Sequence, residues 1–285
     1  MCSRDKSETR IGFGAGMYMR DLLVEIDDSR SISHQQLAEV ATVFNRYGFC
    51  LIQCSPQSNC KAQLLGFRDL FGTVAGHDRA DLDGITVMTP SDKFPLYLGA
   101  GNGEHPPHTD GAYDEFPAKI MCLQCEVPAR TGGLSILVSG IALYEWLADQ
   151  DVELPVELSN PGVFTVKRAE RCASKAIFQK DGERTQIVWR SDATARFAPG
   201  WQTTRAIALV RQFVADESHQ LRFKLRPHQI LVVDNTAVLH GRTAFTKGDP
   251  RKMNRINFLA DGPFAKELYF GFAPARTQIP VQSVL

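Results

Sequence analysis

Net charge is the first thing this chain lacks: its 32 Lys and Arg residues are matched by 32 Asp and Glu. No long-range field of either sign draws it to nucleic acid or to an anionic membrane surface. The expected partner is a small-molecule substrate, with no nucleic acid and no membrane. Also absent is any run of about 18 apolar residues, the length that a membrane-crossing helix requires. The first residues, Met1-Cys2-Ser3-Arg4-Asp5-Lys6, have no apolar core of the kind a secretion signal carries, so the expected location is cytoplasmic. A disulfide framework is missing too. The 7 cysteines are odd in number and irregular in spacing, which fits reduced thiols. Cys122-Leu123-Gln124-Cys125 has the spacing of half a zinc site, but no second pair accompanies it. In a strand, moreover, positions three apart face opposite sides. No internal repeat and no low-complexity tract is found.

What is present suffices for a large core. With 285 residues, 44% of them hydrophobic, the chain is expected to form one domain over 1–285. Ser33 opens a helix with a capping-box pattern, and Leu37, Val40, Ala41 and Phe44 follow at the spacing of one apolar face, with Gly48 closing it. A strand over 49–53 and a second helix running to about Phe71 complete a helical buttress over about 33–72. Two more helices are predicted, one capped by Ser139 and one starting at Thr203 or Thr204. Elsewhere short strands dominate, over 118–127, 134–138, 162–167, 176–179, 186–190, 229–234 and 254–260. Many short strands with few helices argue for a mainly β fold, a sandwich or jelly roll buttressed by helices. The polar, aperiodic stretch 191–202 suits a mobile loop over a site, within a lid-like insertion of about 168–202.

His108-Thr109-Asp110 carries the chemistry. In extended backbone the i and i+2 side chains leave the same face, so both can reach one ion, and Pro106 and Pro107 favour that extended entry. His240 closes the apolar segment 229–240 as it runs into a polar turn, an edge where a third ligand could be held. Two imidazoles and a carboxylate can hold a divalent iron by one face and leave its other positions open. Taken singly, His240 reads equally as a hydrogen-bonded core histidine and His108 as a surface residue near a turn.

Together with Gly111, Gly132-Gly133-Leu134-Ser135, Asp234-Asn235, His240-Gly241-Arg242, Arg251 and Arg255, these residues resemble, in order and spacing across most of the chain, the taurine dioxygenase and 2,4-dichlorophenoxyacetate dioxygenase (TauD/TfdA) family. These are Fe(II)- and 2-oxoglutarate-dependent dioxygenases with a double-stranded β-helix, or jelly-roll, fold. The resemblance implies that His108, Asp110 and His240 are the iron ligands. It implies that Arg251, eleven residues after His240, receives the distal carboxylate of 2-oxoglutarate, whose two oxygens a guanidinium fork can meet in parallel. Ser135 falls where the family usually has a Thr hydroxyl on the same carboxylate. Arg255 matches a position that contacts an acidic group of the substrate or assists the cosubstrate, with a plain salt bridge as the alternative. His77 resembles a substrate-contacting histidine of the family, within a stretch whose flanks diverge.

The implied cofactors are Fe(II), 2-oxoglutarate and O2, with succinate and CO2 released. An intact Asp110 argues for hydroxylation, desaturation or cyclisation; related halogenases replace it with a small residue. The alternative is a jelly-roll metal- or ligand-binding protein without turnover, which has no need of a dicarboxylate clamp such as Arg251. Arg255 and Arg190 lean toward an acidic or amino-acid-like substrate, Arg196 being a further arginine beside the lid. Gly12 to Gly16 and Gly99 to Gly103 read as flexible loops, the second bordering the pocket through Asn102. His105 is expected at the rim. Relatives often self-associate, so a homo-oligomer stays open.

Overall fold

The strand Gln229–Asp234 is buried at all of its positions because both its faces are covered. Leu231 and Val233 belong to one hydrophobic cluster and Ile230 and Val232 to another, the alternation of a strand packed above and below. A computed structural model describes residues 12–13, 17–56, 59–93 and 97–275. Gly14 to Gly16, within the first glycine-rich stretch, lie outside them.

In chain order the strands are β1 (Leu23–Ile26), β2 (Phe49–Cys54), β3 (Thr86–Met88), β4 (His105–His108) and β5 (Ile120–Val127). They continue with β6 (Ser135–Ser139), β7 (Phe164–Arg168), β8 (Arg171–Lys175), β9 (Phe178–Asp181) and β10 (Arg184–Ile187). The last five are β11 (Ala195–Phe197), β12 (Gln220–Phe223), β13 (Gln229–Asp234), β14 (Val238–Arg242) and β15 (Lys252–Phe258). One sheet has six strands in the order β1-β2-β13-β5-β15-β3; another has four, β12-β6-β14-β4. Residues of both, Met121, Leu231, Val233 and Met253 from the first and Leu137, Val138 and Leu239 from the second, share one core cluster.

The outer face of the six-stranded sheet is covered by α1 (His34–Tyr47), α2 (Cys60–Leu65) and α3 (Arg68–Phe71), whose Val40, Phe44, Leu64 and Phe71 pack on Ile52, Cys122, Ile230 and Ile256. The capping box at Ser33 forms in full, and Gly48 ends α1 in the left-handed conformation, φ 79°. The helix expected to run to Phe71 breaks instead at Gly66, where a side chain would collide with Ser29. Cys122 and Cys125 face opposite sides of β5, one in each cluster, as expected. α4 (Gly140–Gln150), capped by Ser139, packs with α5 (Glu153–Glu157) and α6 (Trp201–Ala215).

Two expectations are corrected. His240 does not end a single long strand: Asn235 to Ala237 turn the chain, and His240 sits in the middle of β14. The 191–202 stretch is not an irregular loop throughout, because β11 within it pairs antiparallel with β7 and α6 begins at its end. No helix among the described residues is long and apolar enough to cross a membrane.

Candidate metal centre and its two clefts

β14 and β4 run antiparallel with His240 directly opposite His108. Their close approach depends on Gly241, because a Cβ there would lie 2.6 Å from the His105 carbonyl oxygen and 2.9 Å from the Pro107 nitrogen. The two imidazole centroids are 4.6 Å apart. His108 Nδ1 lies 2.9 Å from the Pro106 carbonyl. A carbonyl only accepts, so Nδ1 carries the proton and Nε2 keeps its lone pair for an ion. Asp110 stands in the turn just after β4 rather than in the strand. Its backbone N–H donates to Asn235 Oδ1 (2.7 Å), and Asn235 Nδ2 donates to the Asp110 and Ala118 carbonyls (3.0 and 2.8 Å). The β13–β14 turn thus docks the carboxylate against the two histidines.

Asp110 Oδ1 lies 3.6 Å from His108 Nε2, and Asp110 Oδ2 lies 3.8 Å from His240 Nε2. One donor atom from each residue falls within 4.8 Å of the others, and all three residues are buried. Both ring nitrogens of His240 are buried without a hydrogen-bond partner, a cost that a core histidine would not ordinarily carry. Two neutral nitrogens, one of them orphaned, and one carboxylate oxygen fit a divalent transition metal. Burial, then His108, push the His240 imidazole down to about 3, so it is neutral at physiological pH. Burial pushes the Asp110 carboxyl up, but Arg255 and the two imidazoles outweigh it and hold the group well below the usual carboxylate range.

Arg255 Nη1 donates to both Asp110 oxygens, at 3.0 and 2.9 Å, and Asn257 Nδ2 donates to Oδ2 at 3.0 Å. Arg255 and Asn257 are two apart on β15 and so leave the same face. Of the two roles open for Arg255, the structure therefore has the salt bridge. The chain pattern held no signal for Asn257 beyond that spacing.

Arg255, Ser135, Arg242 and Arg251 line a narrow cleft on the His240 side. Arg251 is 4% exposed, and its Cδ and Nε pass 3.6 Å from where a Gly133 side chain would begin. Ser135 and Arg242 are cross-strand partners. Neither Arg242 nor Arg251 has a carboxylate partner among the described residues. Asn102 lies behind this cleft. Its Nδ2 donates to the Phe245 carbonyl (3.2 Å) and its own carbonyl accepts from Phe245 N–H (3.0 Å), so it braces a loop rather than facing a ligand. His105, half-buried, also lines this cleft; it stacks on His108 with centroids 4.1 Å apart, and burial drives its imidazole well below the usual range.

A second cleft, of about 930 Å3, opens on the other side of Asp110 and Asn257 and is lined by His77, Tyr113, Glu115, Phe116 and Arg171. His77 Nδ1 accepts from the Arg79 N–H at 3.1 Å; burial, then Arg255, push this imidazole down to about 4. Arg171, from β8, bridges Asp78 and Asp114. Its neighbour Arg168 lies over the Tyr97 ring at 4.1 Å and donates to Tyr113 Oη at 3.2 Å. Sequence reasoning missed Arg171 because β8 carries no apolar alternation, and Arg168 because it ends β7 with no motif to mark it. Arg190 lines neither cleft and is held by Asp192 at 2.5 Å, while Arg196 donates to the Ala193 and Ala195 carbonyls.

A family model described as taurine catabolism dioxygenase TauD, TfdA family matches residues 11–257. Trimethyllysine dioxygenase of Meyerozyma guilliermondii is 27% identical over 155 residues, 49% of this chain and 38% of that protein. This chain thus matches well under half the length of that relative. Uridine-5'-phosphate dioxygenase of Streptomyces sp is 24% identical over 233 residues, covering 72% of this chain and 82% of the relative. Among solved structures, asparagine oxygenase in complex with Fe(II), 2S,3S-3-hydroxyasparagine and succinate superposes with a TM-score of 0.59 at 14% identity. That match covers 84% of this chain and 94% of the other, and at such identity it speaks for the fold.

Proposed function

This chain belongs to the taurine catabolism dioxygenase TauD, TfdA family, and from that premise we propose that it is an Fe(II)- and 2-oxoglutarate-dependent dioxygenase hydroxylating a small amino-acid-like substrate. Its two facing sheets are read as one jelly-roll domain. The observation that carries this reading is the pairing of a buried two-histidine, one-carboxylate cluster with an adjoining cleft whose buried Arg251 has no carboxylate partner among the described residues.

His108, Asp110 and His240 would hold the iron by one face. With 2-oxoglutarate and dioxygen, the bound iron supplies the oxidising equivalents for C–H hydroxylation, succinate and CO2 being the coproducts. The work of the chain's own side chains is binding and orientation. Arg251 and Ser135 anchor the distal carboxylate, while Arg255 and Asn257 keep Asp110 ionised and aligned.

The second cleft is where the substrate is placed. Its walls carry Glu115 and the Arg171–Asp114 ion pair, and a zwitterionic amino acid would exchange with that pair, its carboxylate taking Arg171 and its ammonium taking Asp114 or Glu115. Arg255 and Arg190, on which an acidic substrate could have relied, are engaged by Asp110 and Asp192.

Anaerobic addition of Fe(II) and 2-oxoglutarate tests the site: a weak visible charge-transfer band is expected with the wild-type chain and none with Asp110→Ala or His240→Ala. In air, succinate release with a panel of amino acids should depend strictly on iron. A folded, iron-loaded protein that never consumes 2-oxoglutarate with any acid of the panel would sink the proposal.

A further inference from the structure

The first cleft holds more positive charge than its recognised parts account for. Arg255 is neutralised by Asp110, but Arg242 and Arg251, 5% and 4% exposed, face no carboxylate among the described residues. Arg242 is partly satisfied: its Nη2 donates to the carbonyls of Gly103 (2.7 Å), Gly101 (3.3 Å) and Leu98 (3.5 Å). Its Nη1 is buried with no partner at all. The Phe245 ring lies 4.6 Å from the Arg242 guanidinium carbon and 5.5 Å from that of Arg251, so one aromatic ring serves both cations. Burial, and for Arg242 the neighbouring Arg251, bring each guanidinium down to about 10, which leaves both charged at neutral pH.

Two desolvated cations facing one small cavity are costly unless an anion joins them. Nothing in that imbalance depends on a metal, because the charge sits on β14 and at the start of β15 rather than on the histidine cluster. We infer that Arg242 acts with Arg251 as a second anchor for the distal carboxylate, and that the pair binds a dicarboxylate before any metal is present. Ser135, the cross-strand partner of Arg242, completes the pocket with a hydroxyl. The inference rests on the dioxygenase reading for the name of the ligand, 2-oxoglutarate; the charge imbalance itself does not. It makes cosubstrate loading independent of iron loading. It also makes the pocket selective for a second carboxylate rather than for the keto group.

The test is a thermal-shift and calorimetric titration of the full-length protein, freed of metal by a chelator that is then removed, with three probes: 2-oxoglutarate, succinate and the monocarboxylate 2-oxobutyrate. Both dicarboxylates should raise the melting temperature saturably, and 2-oxobutyrate should not. Arg251→Gln and Arg242→Gln should each weaken dicarboxylate binding by about tenfold or more. Arg242→Lys separates charge from bracing, because lysine keeps the charge but cannot reproduce the three carbonyl contacts. Retained binding in Arg242→Lys beside loss in Arg242→Gln supports the anchor. Equal loss in both means that Arg242 only braces the 98–103 loop, and overturns it. If Arg242→Gln fails to fold, Arg242→Lys is compared with wild type instead: retained dicarboxylate binding supports the anchor, and loss overturns it. Binding of 2-oxoglutarate by the iron-loaded protein but not by the metal-free protein overturns the inference and leaves the dioxygenase reading intact. Failure of the iron-loaded protein to turn over 2-oxoglutarate, with dicarboxylate binding still seen, overturns that reading and not the anchor.

Discussion

Arg255 spans from β15 to both carboxylate oxygens of Asp110, at 3.0 and 2.9 Å, with each side chain only 11% exposed. The guanidinium that the chain pattern offers to a substrate is thereby turned inward. It holds a candidate metal ligand ionised in a place where burial alone would favour its neutral form.

Arg255→Gln should therefore destabilise the fold by about 3–5 kcal/mol, the range for removing one partner of a buried ion pair. Urea unfolding of metal-free protein measures it. A change below about 1 kcal/mol, the ceiling for exposed pairs, would show that the pair is not buried in solution.

Gly241→Ala should separate β14 from β4, since the new methyl would meet backbone of His105 and Pro107 rather than a movable side chain. His108 and His240 would lose their opposed register, and affinity for Co(II), followed by its visible absorption, should fall by tenfold or more, as for other perturbations of ligand support. Unchanged affinity would mean that the close strand contact does not set the ligand geometry.

His77 gives a pH dependence of known sign. Its imidazole titrates at about 4 in the folded chain against about 6.5 when unfolded. Between those values the unfolded chain binds a proton that the native state refuses, so this residue's contribution is complete above about 6.5 and lost as pH falls toward about 4. Comparing unfolding at about pH 7 and about pH 5, wild type should lose more stability than His77→Gln. Equal losses would place the ring in solvent.

Arg171→Gln should leave the 2-oxoglutarate KM unchanged while raising that of whichever amino acid supports succinate release, because Arg171 lines the second cleft and not the first. A rise confined to 2-oxoglutarate would reverse the assignment of the two clefts.

Much of the fold was legible in local pattern. The Ser33 capping box and the apolar face of α1 both form, because caps and helical periodicity depend on neighbours within a turn or two. The Ser139 cap does the same for α4. Less legible was the split at Gly66, set by Ser29 from a distant segment. The second strand at Val238–Arg242 was equally hidden, since its five residues show no period-2 alternation.

The same division runs through the site. The sequence pointed to His108, Asp110 and His240 by ligand type and spacing, and to Arg251 and Ser135 through the family resemblance, because ligand and guanidinium chemistry are properties of side chains. Which of them meet, and what faces them, was decided in three dimensions. Asn257 and Arg171 stand far from the histidine–aspartate motif in sequence and enter only through strand register and the closing of one sheet on another, while Asn235 and Arg242, present in the family pattern, gain their contacts there. Arg255 owes its role to the Asp110 carboxylate, 145 residues away along the chain, and proximity between distant segments is a property of packing that no local spacing encodes.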